Sequence, residues 1–217
     1  MEAKTYEIIS INVGKPKKFI YNGKEFVTGI QKQPVDGPVF LSFLNFSGDG
    51  QADLVHHGGR DKAVCVYPYD HYAYWEHELE RKLDVVAFGE NLTVKGLLET
   101  EVCIGDTFQL GEAVVQVSQP RQPCHKIAKK HRVNDLPLRV QNTGYTGFYF
   151  RVLKEGWVET PSRLQLIEKH PLNITVSFAN QIMFHDKTNK EGIEQILRVD
   201  ELSESFRDSL MKRLQSI

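Results

Sequence analysis

Over the first three quarters of the chain, apolar and polar residues alternate in short runs broken by Gly, Pro and Asn. Residues 6–13 place Ile9, Ile11 and Val13 at every second position before Gly14 and Pro16 end the run. Residues 25–30 follow Asn22-Gly23, a strong hairpin turn pair. Residues 63–67 (Ala-Val-Cys-Val-Tyr) are continuously apolar, as expected of a strand covered on both faces. Further strands are predicted at 92–94, 102–104, 107–110, 113–117 and 146–152, with a turn at Gly111-Glu112. One helix interrupts them at 69–83, where Tyr72, Trp75 and Leu79 recur at helical spacing after Pro68. Many short strands with Gly/Pro punctuation predict a mainly antiparallel barrel or sandwich.

The pattern changes near Leu164, beyond which strand signals almost vanish and three short amphipathic helices are predicted. Thr175, Asn189 and Ser203 are their expected N-caps, the last preceding a stripe of Phe206, Leu210 and Leu214. The expected division is 1–163 and 164–217. A second unit of that size holds little core alone and is expected to dock on the first or on a partner.

Composition narrows the function. The chain has 217 residues, 27 Lys+Arg against 28 Asp+Glu, and a formal net charge of −1, so no global pull toward nucleic acid exists. No apolar run approaches the ~20 residues that span a bilayer, and Met1-Glu2-Ala3-Lys4 opens no signal-peptide core. Three cysteines, with no CxxC or CxxH pair, fit neither a disulfide framework nor a zinc finger. A cytoplasmic location is expected.

The densest chemistry is Gln119-Pro120-Arg121-Gln122-Pro123-Cys124-His125-Lys126. Two prolines stiffen the turn before the cysteine, and from Arg121 to Arg132 there are bases but no acid. A thiol in that field is expected to be partly thiolate, the form that binds soft metals. Cys65 and Cys103, flanked by apolar residues, read as core. A second constellation, His56-His57-Gly58-Gly59-Arg60-Asp61-Lys62, combines adjacent histidines with glycines that admit a ligand to the backbone. An ordinary surface turn explains it equally well. Gly89-Glu90-Asn91 reads first as a turn into a strand. No helix pattern follows Gly144-Tyr145-Thr146-Gly147, which argues against a phosphate-binding loop. Tyr67, Tyr69, Tyr72, Tyr74 and Trp75 are expected to pack between helix and barrel.

Taken together and in this order, the motifs resemble the MOSC family, with a closer likeness to its YiiM-type members. The matching pieces are His57-Gly58-Gly59-x-Asp61-Lys62-Ala63, Gly89-Glu90-Asn91-Leu92-Thr93, Gly105-Asp106, Ser118-Gln119-Pro120-Arg121-x-Pro123-Cys124-x-Lys126 and Gln141-Asn142-Thr143-Gly144-x-x-Gly147. The helical tail resembles the appendage of YiiM-type proteins. The resemblance implies a mainly β fold, a MOSC-type barrel with a few helices followed by a small three-helix domain. It also implies molybdenum cofactor (molybdopterin), with Cys124 as metal ligand, and reduction of N-hydroxylated compounds such as 6-hydroxylaminopurine. His56, His57, Gly58, Gly59, Lys62, Asn91, Arg121 and Lys126 fall in the motifs expected around the cofactor. His57 joins Cys124 as an expected catalytic residue, and His57 or His125 would relay protons. The family commonly has an aromatic residue where this chain has His125.

No flavin, haem or iron–sulfur motif is visible, so electrons are expected from a separate redox protein. A homodimer is compatible with a docked tail, and no specific nucleic-acid or membrane partner is expected. The competing readings are a cofactor carrier or sulfur-handling protein without turnover, a zinc hydrolase built from His56 or His57 with Cys124, and a nucleic-acid module using residues 126–132.

Overall fold

The computed structural model describes residues 4–21, 23–52 and 58–217. Among the described residues, twelve strands alternate with short helices. The strands are β1 (Thr5–Val13), β2 (Lys17–Tyr21), β3 (Lys24–Thr28), β4 (Gln33–Pro34), β5 (Val39–Leu41), β6 (Val64–Pro68), β7 (Leu92–Lys95), β8 (Thr107–Leu110), β9 (Ala113–Pro120), β10 (Phe148–Lys154), β11 (Gly156–Val158) and β12 (Arg163–Glu168). Seven of them close into a barrel in the order β12-β8-β9-β10-β6-β7-β1, sealed where β1 pairs with β12 at Tyr6↔Leu164. Every neighbouring pair in the ring is antiparallel except β6 and β7. Closure removes the unpaired edges an open sheet would expose. Ile8, Ile11, Val64, Val66, Phe108, Val115 and Phe150 fill the interior.

The continuous apolar run is β6, buried along its whole length as its composition predicts. Two expectations are corrected. Residues 102–104 form a tight turn, not a strand. Asp106 accepts a hydrogen bond from Cys103 N (2.8 Å), Gly105 takes φ +90°, and only a single bridge joins Cys103 to Thr175. Conversely, residues 163–168 are a barrel strand where almost no strand signal was expected. β12 buries Leu164 and leaves its remaining residues partly or fully exposed, so the expected division after residue 163 falls inside the strand that seals the barrel.

Three helices cap one side of the barrel: α1 (Tyr72–Glu78), α2 (His125–His131) and α3 (Leu136–Thr143). The expected helix over 69–83 is therefore shorter, led by a 3-10 turn at Tyr69–His71 and ended before Glu80, whose φ is +51°. Tyr67, Tyr72, Trp75 and Phe88 form an aromatic cluster with Ile127, Leu136 and Val140, whereas Tyr69 and Tyr74 are exposed. The Tyr67 and Phe88 rings stack at 4.2 Å.

The tail comprises α4 (Val176–Asn180) running into a π-helical turn at Gln181–His185, α5 (Lys190–Leu197) and α6 (Glu204–Ser216). All three expected caps form: Thr175, Asn189 and Ser203 accept from the backbone N–H of Phe178, Gly192 and Phe206. Ile104 of the barrel is buried with Ile182, Ile193, Ile196 and Phe206, so the tail completes its core against the barrel, as its small size requires. No helix among the described residues is long and apolar enough to cross a membrane.

Candidate functional site

β9 ends at Pro120, and the Arg121–Pro123 turn delivers Cys124 in an extended conformation (φ −105°, ψ 162°) immediately before α2. Its thiol is half-buried, whereas Cys65 and Cys103 are buried. Cys124 opens into a cleft of about 600 Å³, solvent mouth included. Five of the sequence-predicted residues meet there: Lys62, Asn91, Arg121, Cys124 and Lys126. Cys65, Gly89, Gln122 and Tyr149 complete that wall. Thr28, Gly29, Ile30 and Lys32, with Gly50, Gln51 and Ala52, also line the cleft. Four cationic side chains, Lys32, Lys62, Arg121 and Lys126, line the cleft, and no described lining residue is acidic.

Three bases around Cys124 turn inward. Arg121 Nη2 donates to the Phe88 carbonyl (2.6 Å), His131 Nε2 lies 2.7 Å from the Ala87 carbonyl, and Lys130 Nζ donates to the Val86 carbonyl. Three consecutive carbonyls are thus held by three bases, fixing the loop that carries Gly89, Glu90 and Asn91. Burial, partly offset by Glu90, lowers Lys130 to about 8. Burial also lowers His131 to about 4, with Lys130 and Arg81 adding to the effect. Arg121 stays fully charged in the buried floor of the cleft, its pKa above the usual arginine value although burial by itself would lower it. Among the described residues no carboxylate forms an ion pair with Arg121. Burial pushes the Cys65 thiol and the Tyr149 phenol up, so both keep their protons at neutral pH.

A buried polar network supports the floor. Asn91 Oδ1 accepts from Cys65 N (3.1 Å), while Nδ2 donates to Asn12 O (3.1 Å) and Asp49 Oδ2 (2.8 Å). Both amide hydrogens are therefore spent on the protein, which makes Asn91 a positioning residue. Asp49 also accepts from Gly14 N (2.9 Å) and pairs with the buried Lys32 ammonium. Glu90, fully buried, accepts from Tyr72 OH, Thr93 Oγ1 (3.0 Å) and Phe88 N (3.0 Å).

Gly58 and Gly59 line a different hollow, between the barrel and the tail, which meets the cleft only through Lys62. His56 and His57 lie outside the described residues. His125 is exposed on the first turn of α2 and is not part of the cleft lining. Cys65, read as core, is buried but also borders the cleft. Lys32, Asp49 and Tyr149 were missed. Tyr149 alone had a signal, the tyrosine in the late aromatic strand. Among the described residues no three or more His, Cys, Asp or Glu are placed to hold a metal ion. Of the basic run, Lys129 sits over the Phe26 ring at 4.3 Å, while Lys130 and His131 turn inward.

A closed barrel presenting a thiol on a Pro-flanked turn, beside a cation-lined cleft and with a three-helix tail, defines a MOSC-type protein. The chain belongs to the MOSC domain family, whose model matches residues 53–164, and the YiiM-like 3-alpha helix domain matches residues 174–216. It is 57% identical to YflK of Bacillus subtilis over 213 residues, 98% of this chain and 96% of that protein. YiiM of Escherichia coli is 38% identical over 86% of this chain and 84% of its own length. The crystal structure of YiiM from Geobacillus stearothermophilus superposes with a TM-score of 0.83 at 42% identity, covering 96% of this chain and 99% of that one. A Gibberella moniliformis protein named Reductase is 38% identical over 75% of this chain, which corresponds to 29% of that larger protein.

Proposed function

We propose that the cleft binds molybdenum cofactor and that the protein reduces N-hydroxylated compounds, 6-hydroxylaminopurine among them, to amines. The carrying observation is the half-buried Cys124 thiol opening into a cleft with four cations and no described acid. That donor set fits a pterin bearing a dithiolene-bound metal and a phosphate: a soft ligand for the metal and cationic donors for the anion. Cys124 would hold the metal, with Arg121, Lys62 and Lys126 around the phosphate. The bound group supplies the two-electron chemistry at the N–O bond.

The chain's own residues bind, orient and shield. The clamp of Arg121, Lys130 and His131 on residues 86–88 fixes the cleft wall before substrate arrives, so little reorganisation accompanies binding. The cationic lining stabilises negative charge on the departing oxygen. Two protons must reach the substrate as the N–OH group becomes N–H and water, and His57 is the proposed relay. The same reading takes electrons from a separate redox protein, in the cytoplasm, and it allows a homodimer. The reductase name of the fungal relative supports reductive chemistry in the family.

The test is metal and pterin content after expression in a host that makes the cofactor, comparing wild type with Cys124→Ala, followed by N-hydroxy reductase assays. Stoichiometric molybdenum, lost together with activity in the variant, is expected. A metal-loaded, active Cys124→Ala protein would refute the assignment. Loading without turnover of any N-hydroxy compound would instead identify a carrier, and bound zinc would favour a hydrolase.

A further inference from the structure

Two tail side chains reach the segments that hold the cysteine turn. Ser203 bonds Gln119, two residues before Arg121. Asn180, the buried last residue of α4, donates from Nδ2 to Thr146 Oγ1 (2.8 Å) and to the Gly144 carbonyl (3.2 Å). The carbonyl fixes which way the amide points, and Oδ1 then has no partner among the described residues. An acceptor left buried and unpaired costs free energy that an apolar side chain would avoid, so what the position gains from Asn is its donors. Thr146, fully buried, accepts from Asn180 and donates its own proton to Gly147 O (2.8 Å). The same oxygen accepts from the backbone N–H of Arg121 (3.0 Å), three residues before Cys124. Glu99 Oε1 holds the other side of Gly147 by accepting from its N–H (2.8 Å). Gly147 admits no side chain, since its φ is +70° and a Cβ would sit 2.3 Å from Val66 O.

We propose that Asn180 is a positioning residue of the cleft: its amide aims the Thr146 hydroxyl at the carbonyl on which the Arg121 turn hangs. The relay crosses from the segment matched to the helical domain, residues 174–216, into the segment matched to the MOSC domain, residues 53–164. Polarity carries the argument. An amide N–H can only donate, so Thr146 cannot turn its single proton toward Asn180 and gives it to Gly147 O. Without that donor the hydroxyl is free to rotate, and Gly147 O loses a fixed partner. The tail therefore helps to present Arg121 and Cys124 to the cleft, beyond completing its own core. The bearing of this relay on function rests on the reading of the cleft as a cofactor site.

The experiment measures amide exchange residue by residue in the cofactor-free protein, and molybdenum per protein after expression in a host that makes the cofactor. It compares wild type with Asn180→Leu, Thr146→Val, Thr146→Ser and the double variant Asn180→Leu/Thr146→Val. Asn180→Ala carries the same prediction without added bulk, should Asn180→Leu not fold. Loss of one buried hydrogen bond predicts that the Arg121 amide exchanges about fivefold faster in Asn180→Leu and in Thr146→Val. Thr146→Ser keeps the hydroxyl and should exchange as wild type does. Because Asn180 acts through Thr146, the double variant should be no faster at Arg121 than Thr146→Val alone. Retained molybdenum should fall severalfold in Asn180→Leu and Thr146→Val and recover in Thr146→Ser. Unchanged exchange at Arg121, quickening no greater than that of α5 and α6, or an additive double variant would overturn the relay and leave the cofactor reading intact. Quickening at Arg121 with molybdenum fully retained would overturn the positioning role. Selective quickening at Arg121 with no molybdenum in any protein, wild type included, would uphold the relay and overturn the cofactor reading.

Discussion

Arg121 Nη2 and the Phe88 carbonyl oxygen, 33 residues apart in sequence, are joined by a 2.6 Å hydrogen bond that ties the cysteine turn to the loop carrying Glu90 and Asn91. The bond gives Arg121 two tasks: bracing the loop and presenting charge to the cleft. A hydrogen bond from a charged donor is worth about 1.5–3 kcal/mol, so Arg121→Met should weaken cofactor retention by roughly one to two orders of magnitude. Arg121→Lys should recover little of it, because a single ammonium cannot reproduce the planar fork that reaches both carbonyl and cleft. Molybdenum per protein after gel filtration measures this, and full loading of either variant would contradict the double role.

His131 makes stability depend on mild acid. It is buried, with the Ala87 carbonyl at Nε2 and Arg81 Nη2 2.5 Å from Nδ1, an arrangement that suits the neutral ring. Its pKa falls from 6.5 to about 4 on folding. Above 6.5 the ring is neutral in both states. Below that the unfolded chain takes up a proton that the folded one refuses, so stability is lost as pH falls from 6.5 toward 4. A shift of this size corresponds to a loss on the order of 3 kcal/mol. Urea unfolding across that window should show wild type losing more stability than His131→Gln, and parallel curves would exclude His131 as the cause.

Features with local patterns were legible before the structure was known. Alternation exposed the barrel strands, and the caps Thr175, Asn189 and Ser203 announced the tail because a cap is a one-residue, short-range signal. Of the motif residues, Lys62, Asn91, Arg121, Cys124 and Lys126 line one cleft, whereas Gly58 and Gly59 line another. Residues acting through distant partners were not legible. Lys32 and Asp49 form a buried ion pair across 17 residues with no periodicity to mark it. Lys130 and His131 read as solvated charge because nothing near them in sequence reveals that their acceptors are the carbonyls of residues 86 and 87. β12 escaped notice because its alternation is short: Leu164 and Leu166 pack toward the core in alternation with Arg163 and Gln165, but Ile167 follows directly and breaks the pattern.

Gly29 offers a steric test of the part of the cleft lining that precedes the MOSC-matched segment. Its backbone is not in the left-handed region, so any effect of substitution comes from contact alone: a Cβ there would lie 2.4 Å from Gly50 O. Both partners are backbone, and neither strip can yield by a rotamer change. Gly29→Ala should therefore push the strips apart and cost about 1–3 kcal/mol. Because Lys32 lies three residues on, the variant should also disturb the Lys32–Asp49 pair in the cleft lining. Denaturant unfolding and molybdenum content measure the two effects separately. A fully stable Gly29→Ala protein would show that the strips do not pack as tightly as the geometry requires.

The three tail caps should differ in what their loss does. Ser203 accepts from Phe206 N (3.3 Å) and donates to Gln119 Oε1 (2.7 Å) on β9, while its own N–H reaches Ser118 O (3.0 Å). It therefore caps α6 and latches the tail to the strand that leads into the cysteine turn. The Asn189 side chain caps α5 through Gly192 N (2.8 Å) and otherwise bonds only the nearby Asp186. Asn189→Ala should cost about 1 kcal/mol, the worth of an ordinary cap. Ser203→Ala should cost more, about 2–3 kcal/mol, because a buried amide oxygen is left with only the longer bond from Ser205 Oγ (3.3 Å). Amide exchange should quicken along residues 203–216 in Ser203→Ala, whereas the effect of Asn189→Ala should stay near α5. Equal costs and equal exchange patterns would mean that Ser203 is a cap and nothing more, and that apolar packing around Ile104 docks the tail unaided.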